Sequence, residues 1–158
     1  MQDREQFTRL TETYMDTVYR VALNYLRSPD QAEDICQEVF LRLFRTKESF
    51  ADEAHVKYWL IHVALNECRR TLGAPWRKDT PLDGTEREPV FSDPALSDTY
   101  QAVMALPRKY RVAIYLHYYE GYSAREIARM LRCTTSTVTT RLSRGRKLLK
   151  EMLSEDAK

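Results

Sequence analysis

Apolar residues recur at every third or fourth position through the first half of the chain, and this spacing predicts amphipathic helices. The first predicted helix covers about residues 3–26, and its apolar face consists of Phe7, Leu10, Tyr14, Val18, Val21 and Tyr25. The dipeptide Ser28-Pro29 interrupts the pattern and begins a second helix, which continues to about residue 45. Its wider apolar stripe consists of Ala32, Ile35, Cys36, Val39, Phe40, Leu43 and Phe44. After the loop KESFADEAH, a third helix over about residues 56–72 completes a predicted small helical bundle.

The second half of the chain predicts four shorter helices. They cover about residues 95–105, 107–120, 123–132 and 135–153. In the second of them, Val112, Leu116 and Tyr119 are predicted to face inward. Ser123 and Glu126 have the spacing of a capping box at the start of the third. Because no segment shows the sustained alternation of a strand, the chain is predicted to be all-α.

Proline and glycine separate the two helical blocks. Four of the six prolines and two of the four glycines fall between residues 73 and 98. This stretch is acidic and lacks helical periodicity, so it predicts a partly extended, flexible linker. The predicted organisation is therefore two small helical domains, residues 1–72 and 96–158, joined by a linker over residues 73–95.

Composition narrows the class of protein. The chain has 158 residues, of which 43% are hydrophobic and 30% charged, enough apolar residues for packed cores and too many for a disordered chain. No stretch approaches the length of about 20 apolar residues that a membrane span needs. The first ten residues, MQDREQFTRL, contain no apolar signal core. We therefore expect a cytoplasmic protein without membrane insertion.

The charges are unevenly distributed along the chain. Residues 1–72 carry 10 basic and 12 acidic side chains, whereas residues 99–158 carry 12 basic and 5 acidic ones. A strongly basic second half indicates a surface for nucleic acid. The alternative on charge alone is a well-solvated basic helix.

Residues 123–149 have the pattern of a helix-turn-helix, with core positions Ile127, Ala128, Leu131, Val138 and Leu142. In this motif the second helix enters the major groove with its N-terminal end, and basic residues reach the DNA backbone. The alternative is a helical hairpin that binds another protein. The side chains predicted to contact DNA are Thr135, Ser136, Thr139, Thr140, Arg141, Ser143, Arg144, Arg146 and Lys147.

Two further stripes lie on the predicted helices of the first block. Asp34, Gln37, Glu38 and Leu41 share one face of the second helix, either as a solvated acidic surface or as a site for a basic partner helix. The third helix carries an aromatic residue with polar and basic groups on successive turns, which suits unpaired bases; the alternative is a core Trp with solvated arginines. These residues are Trp59, His62, Asn66, Arg69 and Arg70.

The cysteines and a search for catalytic motifs add little to the functional interpretation. Three cysteines without a CxxC pair argue against a disulfide framework. They are interpreted as core residues, the alternative being a redox or metal sensor that also uses the histidines. The spacings fit no zinc pattern, so neither a metal nor a cofactor is predicted. The chain has no Gly-rich phosphate loop, no HExxH and no GxSxG, so no enzyme activity is predicted.

These segments together resemble the extracytoplasmic-function (ECF, group IV) sigma factors, the small two-domain sigma subunits of bacterial RNA polymerase. SPDQAEDICQEVFLRLF and VKYWLIHVALNECRR resemble the family's region two, and ALPRKYRVAIYLHYYEGYSAREIARMLRCTTSTVTTRLSRGRKLL resembles region four. The resemblance implies a factor that binds core polymerase, recognises promoters and promotes DNA melting for transcription initiation. The rival functions are a stand-alone helix-turn-helix regulator that binds a palindrome as a dimer, and an adaptor without a role at DNA.

The resemblance also implies partners and residue roles. The face with Asp34, Gln37, Glu38 and Leu41 would bind the clamp helices of the largest polymerase subunit, and the flap of the second-largest subunit would be a further contact. Phe50 and Asn66 would handle the minus-ten element, where a base is flipped out of the melting duplex. Trp59, Arg69 and Arg70, from the pattern of the third helix, are predicted to join this contact with minus-ten DNA. The helix-turn-helix would read the minus-thirty-five element. The free chain would be a monomer, held inactive by an anti-sigma factor.

The chain departs from the family's pattern at four places. The loop SFADEAHVKYWL lacks the Arg-Gly that often follows the Phe. Thr139 stands where a basic residue is common, Gly145 where Ala is common, and Arg132 at a turn position often filled by Gly.

Overall fold

The chain separates into two units, Met1–Pro89 and Val90–Lys158. The structure, a computed structural model, describes residues 3–73 and 97–157. Within these ranges there are seven α-helices and no strand, as the all-α prediction requires. Beyond Gly73, the predicted linker lies outside the described residues. The helices are α1 (Arg4–Leu26), α2 (Pro29–Arg45), α3 (Glu53–Gly73), α4 (Asp98–Ala105), α5 (Arg108–Ile114), α6 (Ala124–Leu131) and α7 (Thr135–Ala157).

The first unit is a bundle in which α1, α2 and α3 pack against one another. Local side chains define where its helices begin: Asp3 accepts hydrogen bonds from the N–H groups of Glu5 and Gln6, and Ser28 accepts one from Gln31. These caps satisfy backbone donors that have no partner within the helix. The largest fully buried side chains of the unit are Leu10, Leu23, Leu43, Leu60, Ile61 and Leu65.

The predicted apolar stripe of α2 is buried except at its end. Phe44 is 50% exposed, so its assignment to the buried stripe was wrong. The reason is its place at the rim of the bundle, where the ring of Phe7 contacts it edge-on at a centroid distance of 5.1 Å.

The third helix begins at Glu53, three residues before the predicted start at Val56. Asp52 produces the earlier start, because its carboxylate accepts the N–H of His55 at 2.9 Å and its carbonyl accepts the N–H of Val56 at 3.2 Å. A helix N-cap of this kind is a common role of Asp.

In the second unit, α4, α5 and α6 pack against α7 directly. Residues Tyr115–Tyr119 continue α5 as a π-helix, in which the N–H of Glu120 bonds to the carbonyl of Tyr115. This wider turn shifts the phase of the helix. Val112 and Leu116 are buried as predicted, but Tyr119 is 43% exposed, so its predicted inward orientation was wrong.

Other details of the second unit also depart from the pattern. The last helix continues to Ala157, four residues beyond the predicted end. Of the predicted helix-turn-helix core, Leu131 is only half-buried, and its neighbour Met130 is fully buried.

The charged residue Arg111 is buried in this unit, with 2% of its surface exposed. It donates a hydrogen bond to the carbonyl of Leu106 at 2.9 Å, and this bond joins α5 to the short segment between α4 and α5.

Candidate interaction surfaces

The first candidate surface is the outward face of α2, called here the α2 acidic surface and formed by Asp34, Gln37, Glu38 and Leu41. Asp34 and Gln37 are exposed, and Leu41 is 41% exposed. Glu38 is half-buried and accepts a hydrogen bond from Arg42 Nε at 3.0 Å. The sequence placed these four residues on one face, and the structure leaves an apolar side chain open to solvent among acidic and amide groups.

An ion-pair network connects this surface to α3. Arg42, which bonds to Glu38, also reaches Glu67 Oε2 at 2.5 Å, and Arg70 Nη1 reaches the same oxygen at 2.9 Å. Glu67 is buried, and its two arginine partners compensate its charge. Sequence reasoning missed Arg42 and Glu67. The sequence signal that could have found Glu67 is its position on the apolar face of α3, at helical spacing from the buried Leu60 and Ala64.

The second candidate surface involves α3 and the loop before it. The ring of Phe50 lies edge-on to the ring of Trp59, with centroids 5.7 Å apart. Trp59 is half-buried and therefore keeps part of its ring accessible. Farther along α3, Asn66 Oδ1 accepts a hydrogen bond from Arg69 at 2.8 Å. The structure thus pairs Phe50 with Trp59 and Asn66 with Arg69, whereas Arg70 bonds to Glu67.

The third candidate surface is the helix-turn-helix formed by α6 and α7. The predicted capping box is present at its start, where Ser123 and Glu126 exchange hydrogen bonds of 2.9 and 3.1 Å. The turn passes through Arg132, whose φ of 59° is left-handed, and Thr134 then accepts the N–H of Thr137 at the start of α7. Local bonds therefore fix both ends of the turn.

The first turns of α7 expose the short polar side chains that the sequence singled out. Val138, Leu142 and Gly145 face the core, and this places the hydroxyl and basic groups on the opposite side. Arg146 also donates a hydrogen bond to the hydroxyl of Tyr118 at 3.1 Å. The exposed residues are Thr135, Ser136, Thr139, Thr140, Ser143, Arg144, Arg146 and Lys147, and Arg141 is half-buried.

The three cysteines are free, and Cys36 and Cys68 are buried. Burial raises the pKa of the Cys36 thiol to about 12, with the nearby carboxylate of Glu33 contributing. In the described parts of the chain, no cluster of three His, Cys, Asp or Glu side chains could hold a metal ion.

No helix in the described ranges has the length and apolar character needed to cross a membrane.

Comparison with known proteins identifies the family to which the chain belongs. Residues 10–78 match the model for sigma-70 region 2, and residues 97–149 match the model for sigma-70 region 4. The chain is 30% identical to the ECF RNA polymerase sigma factor SigW of Bacillus subtilis, over 97% of this chain and 91% of SigW. The chain belongs to the ECF sigma factor family. As an ECF sigma factor, it acts in transcription initiation.

Other relatives support the same assignment. This sigma factor is 27% identical to the ECF RNA polymerase sigma-E factor of Escherichia coli K12, over 93% of this chain and 86% of that protein. A solved structure of the sigma factor RpoE in complex with the anti-sigma factor NepR, from Bartonella quintana, has a TM-score of 0.75 and 26% identity. The match covers 95% of this chain and 98% of the solved one. The two matched regions contain all three candidate surfaces.

Proposed function

We propose that this sigma factor binds core RNA polymerase through the α2 acidic surface and contacts promoter DNA through α3 and α7. The polymerase forms the phosphodiester bonds, and the sigma factor itself has no enzyme activity, metal or cofactor. The free chain is a monomer and works in the cytoplasm, where the polymerase and the chromosome are.

The proposed partner of the α2 acidic surface is the pair of clamp helices of the largest polymerase subunit. Asp34 and Glu38 offer carboxylates to basic side chains, and Leu41 offers an apolar group that a partner can desolvate. Charges at the rim of an interface mainly accelerate association, while a central apolar anchor slows dissociation. The surface therefore fits a helical partner that combines basic residues with an apolar contact.

The proposed contact of α3 is the minus-ten element. Phe50 and Trp59 present aromatic faces and edges at the loop end of the helix, and Asn66 and Arg69 present hydrogen-bonding groups two turns farther along. Stacking on aromatic rings is the usual way to hold an unpaired base. A flipped base of the opening duplex is the ligand that this combination suits.

The proposed contact of α7 is the minus-thirty-five element. Thr135, Ser136, Thr139 and Thr140 would enter the major groove, and Arg144 and Lys147 would bind phosphates. A hydroxyl group both donates and accepts, so Ser and Thr side chains can bond to more than one kind of base. Base preference then depends on which of these side chains reach base edges. The flap of the second-largest polymerase subunit is expected to contact the same unit.

An anti-sigma factor is a further proposed partner. The similar Bartonella structure contains the sigma factor RpoE together with the anti-sigma factor NepR. In this chain, the exposed Leu41 of the α2 acidic surface would give such an inhibitor an apolar contact. Core polymerase is proposed to use the same side chain. Binding of core polymerase and of the inhibitor should then be mutually exclusive.

The observation that supports this proposal is that the matched region 2 leaves Leu41 exposed among acidic groups, and the matched region 4 exposes short polar and basic side chains on α7. The test is gel filtration of purified core polymerase mixed with this chain. We expect stoichiometric co-elution that Leu41→Ala weakens. If instead the chain elutes alone as a dimer that binds a palindromic DNA, it is a stand-alone regulator.

A further inference from the structure

Two reciprocal hydrogen bonds join the loop before α3 to the first turn of that helix. The carboxylate of Asp52 accepts the N–H of His55 at 2.9 Å, and the Nδ1 atom of His55 accepts the N–H of Ala51 at 3.0 Å. The arrangement is like a capping box in which an imidazole replaces the usual Glu or Gln and the donor lies one residue earlier. Because Nδ1 accepts, the neutral ring carries its proton on Nε2.

The same histidine ring also packs against Phe50. The rings of His55 and Phe50 meet edge-on with centroids 5.2 Å apart, and Phe50 meets Trp59 at 5.7 Å. His55 and Trp59 are one helical turn apart and therefore lie on the same face of α3. Phe50 thus rests on two rings of α3, while the neighbouring Ala51 is bonded to the first of them.

We propose that His55 is a positioning residue for promoter opening, which holds Phe50 in the orientation that receives the flipped base of the minus-ten element. The proposal rests on the proposed function, because it assigns Phe50 to that base. The hydrogen bonds that join His55 to Ala51 and Asp52 supply the constraint that fixes the loop. His55 positions Phe50 and Ala51 and does not itself contact the flipped base.

Three substitutions separate the two contacts of the ring. His55→Asn keeps an acceptor atom at the position of Nδ1 but removes the ring, whereas His55→Phe keeps a ring but removes the acceptor. His55→Ala removes both. Glu53→Ala is the matched control, because Glu53 lies in the same helical turn but bonds to Arg9 and Tyr14 of α1.

The first measurement uses the free chain and does not depend on polymerase. Loss of a hydrogen bond should accelerate amide exchange of Ala51 about fivefold in His55→Ala and His55→Phe. His55→Asn and Glu53→Ala should leave this rate unchanged. Exchange at the wild-type rate in His55→Ala would overturn the proposed constraint on the loop.

The second measurement is a double-mutant cycle in promoter opening with core polymerase. The template is one that the wild-type holoenzyme selects from a random-sequence library, and permanganate reactivity of unpaired thymines reports opening. His55→Ala should reduce opening about fivefold in the wild-type background and have no effect in Phe50→Ala, because its action passes through that ring. Glu53→Ala should not show this dependence on Phe50.

The outcomes distinguish this proposal from the function on which it rests. If His55→Ala reduces opening equally in both backgrounds, the positioning role through Phe50 is wrong while the sigma function stands. If the holoenzyme selects no template, the proposed function is wrong, and the role of His55 at promoters is wrong with it.

Discussion

Gly145 of α7 lies so close to Ile114 of α5 that a Cβ atom on the glycine would be 2.9 Å from Ile114 Cγ1 and 3.2 Å from its Cδ1. This close approach explains why glycine, which has no Cβ atom, stands at this position. Without a methyl group at this position, α5 and α7 can approach each other closely.

Gly145→Ala should therefore destabilise the second unit, although alanine favours the helix. Overpacking costs about 1–3 kcal/mol and the propensity gain offsets about 1 kcal/mol of it, so we expect a net loss of about 1 kcal/mol. Hydrogen exchange of the slowest amides in α5 and α7 measures this change. Gly73→Ala, measured on the amides of α3, is the control, since nothing lies within 4 Å of its added Cβ. Unchanged exchange in Gly145→Ala would contradict the close packing.

Charge reversal of the α2 acidic surface should slow binding to core polymerase. Asp34→Lys with Glu38→Lys should lower the association rate and its dependence on salt, because rim charges steer encounter. Leu41→Ala should weaken affinity by a factor of about ten or more, as loss of a buried anchor does. Surface plasmon resonance with immobilised core polymerase gives both rates.

Glu12→Lys with Asp16→Lys is the matched control for charge, because both residues are exposed acids on α1. This variant should bind nearly as the wild type does. Equal loss in the two charge-reversed proteins would show that only net charge matters and that α2 carries no specific contact.

Phe50→Ala and Asn66→Ala should impair promoter opening more than initial promoter binding. Stacking of Phe50 on a base is worth about 1–3 kcal/mol and a hydrogen bond from Asn66 about 1 kcal/mol, so opening should fall about fivefold or more in each variant. Permanganate footprinting measures opening, and a heparin-free gel shift measures binding. Thr139→Ala is the comparison, since it should weaken binding with little effect on subsequent opening. Normal opening in both α3 variants would remove the minus-ten assignment.

Alkylation of the native protein should distinguish its three thiols. Only the thiolate reacts, and burial raises the pKa of Cys36 to about 12. Cys68 is also buried, whereas Cys133 in the turn before α7 is partly accessible. Iodoacetamide at neutral pH should therefore label Cys133 first, as mass spectrometry would show, and the other two after denaturation. Early labelling of Cys36 would instead favour the alternative of a redox sensor.

Features fixed by neighbouring residues could be predicted from the sequence. Ser28-Pro29 and the pair Ser123 and Glu126 mark helix starts through bonds within one turn, so the pattern alone identified both. The same holds for the exposed faces of α2 and α7, because helical periodicity decides which side of an amphipathic helix is polar.

What the sequence missed depended on unusual local geometry or on distant partners. The start of α3 was misplaced because Asp52 caps the helix three residues before the apolar pattern begins. Tyr119 was assigned inward because a π-turn is not visible in a 3.6-residue period. The bond between Arg42 and Glu67 joins two helices, and no spacing along the chain specifies it.

Run-off transcription with purified core polymerase tests the central claim most directly. The template is one that the holoenzyme selects from a random-sequence library. We predict a discrete transcript from a single start site that requires both core polymerase and this chain. It should be lost when Leu41→Ala is combined with Asn66→Ala. A chain that co-elutes with core polymerase yet yields no transcript above core polymerase alone would contradict its role as a sigma factor.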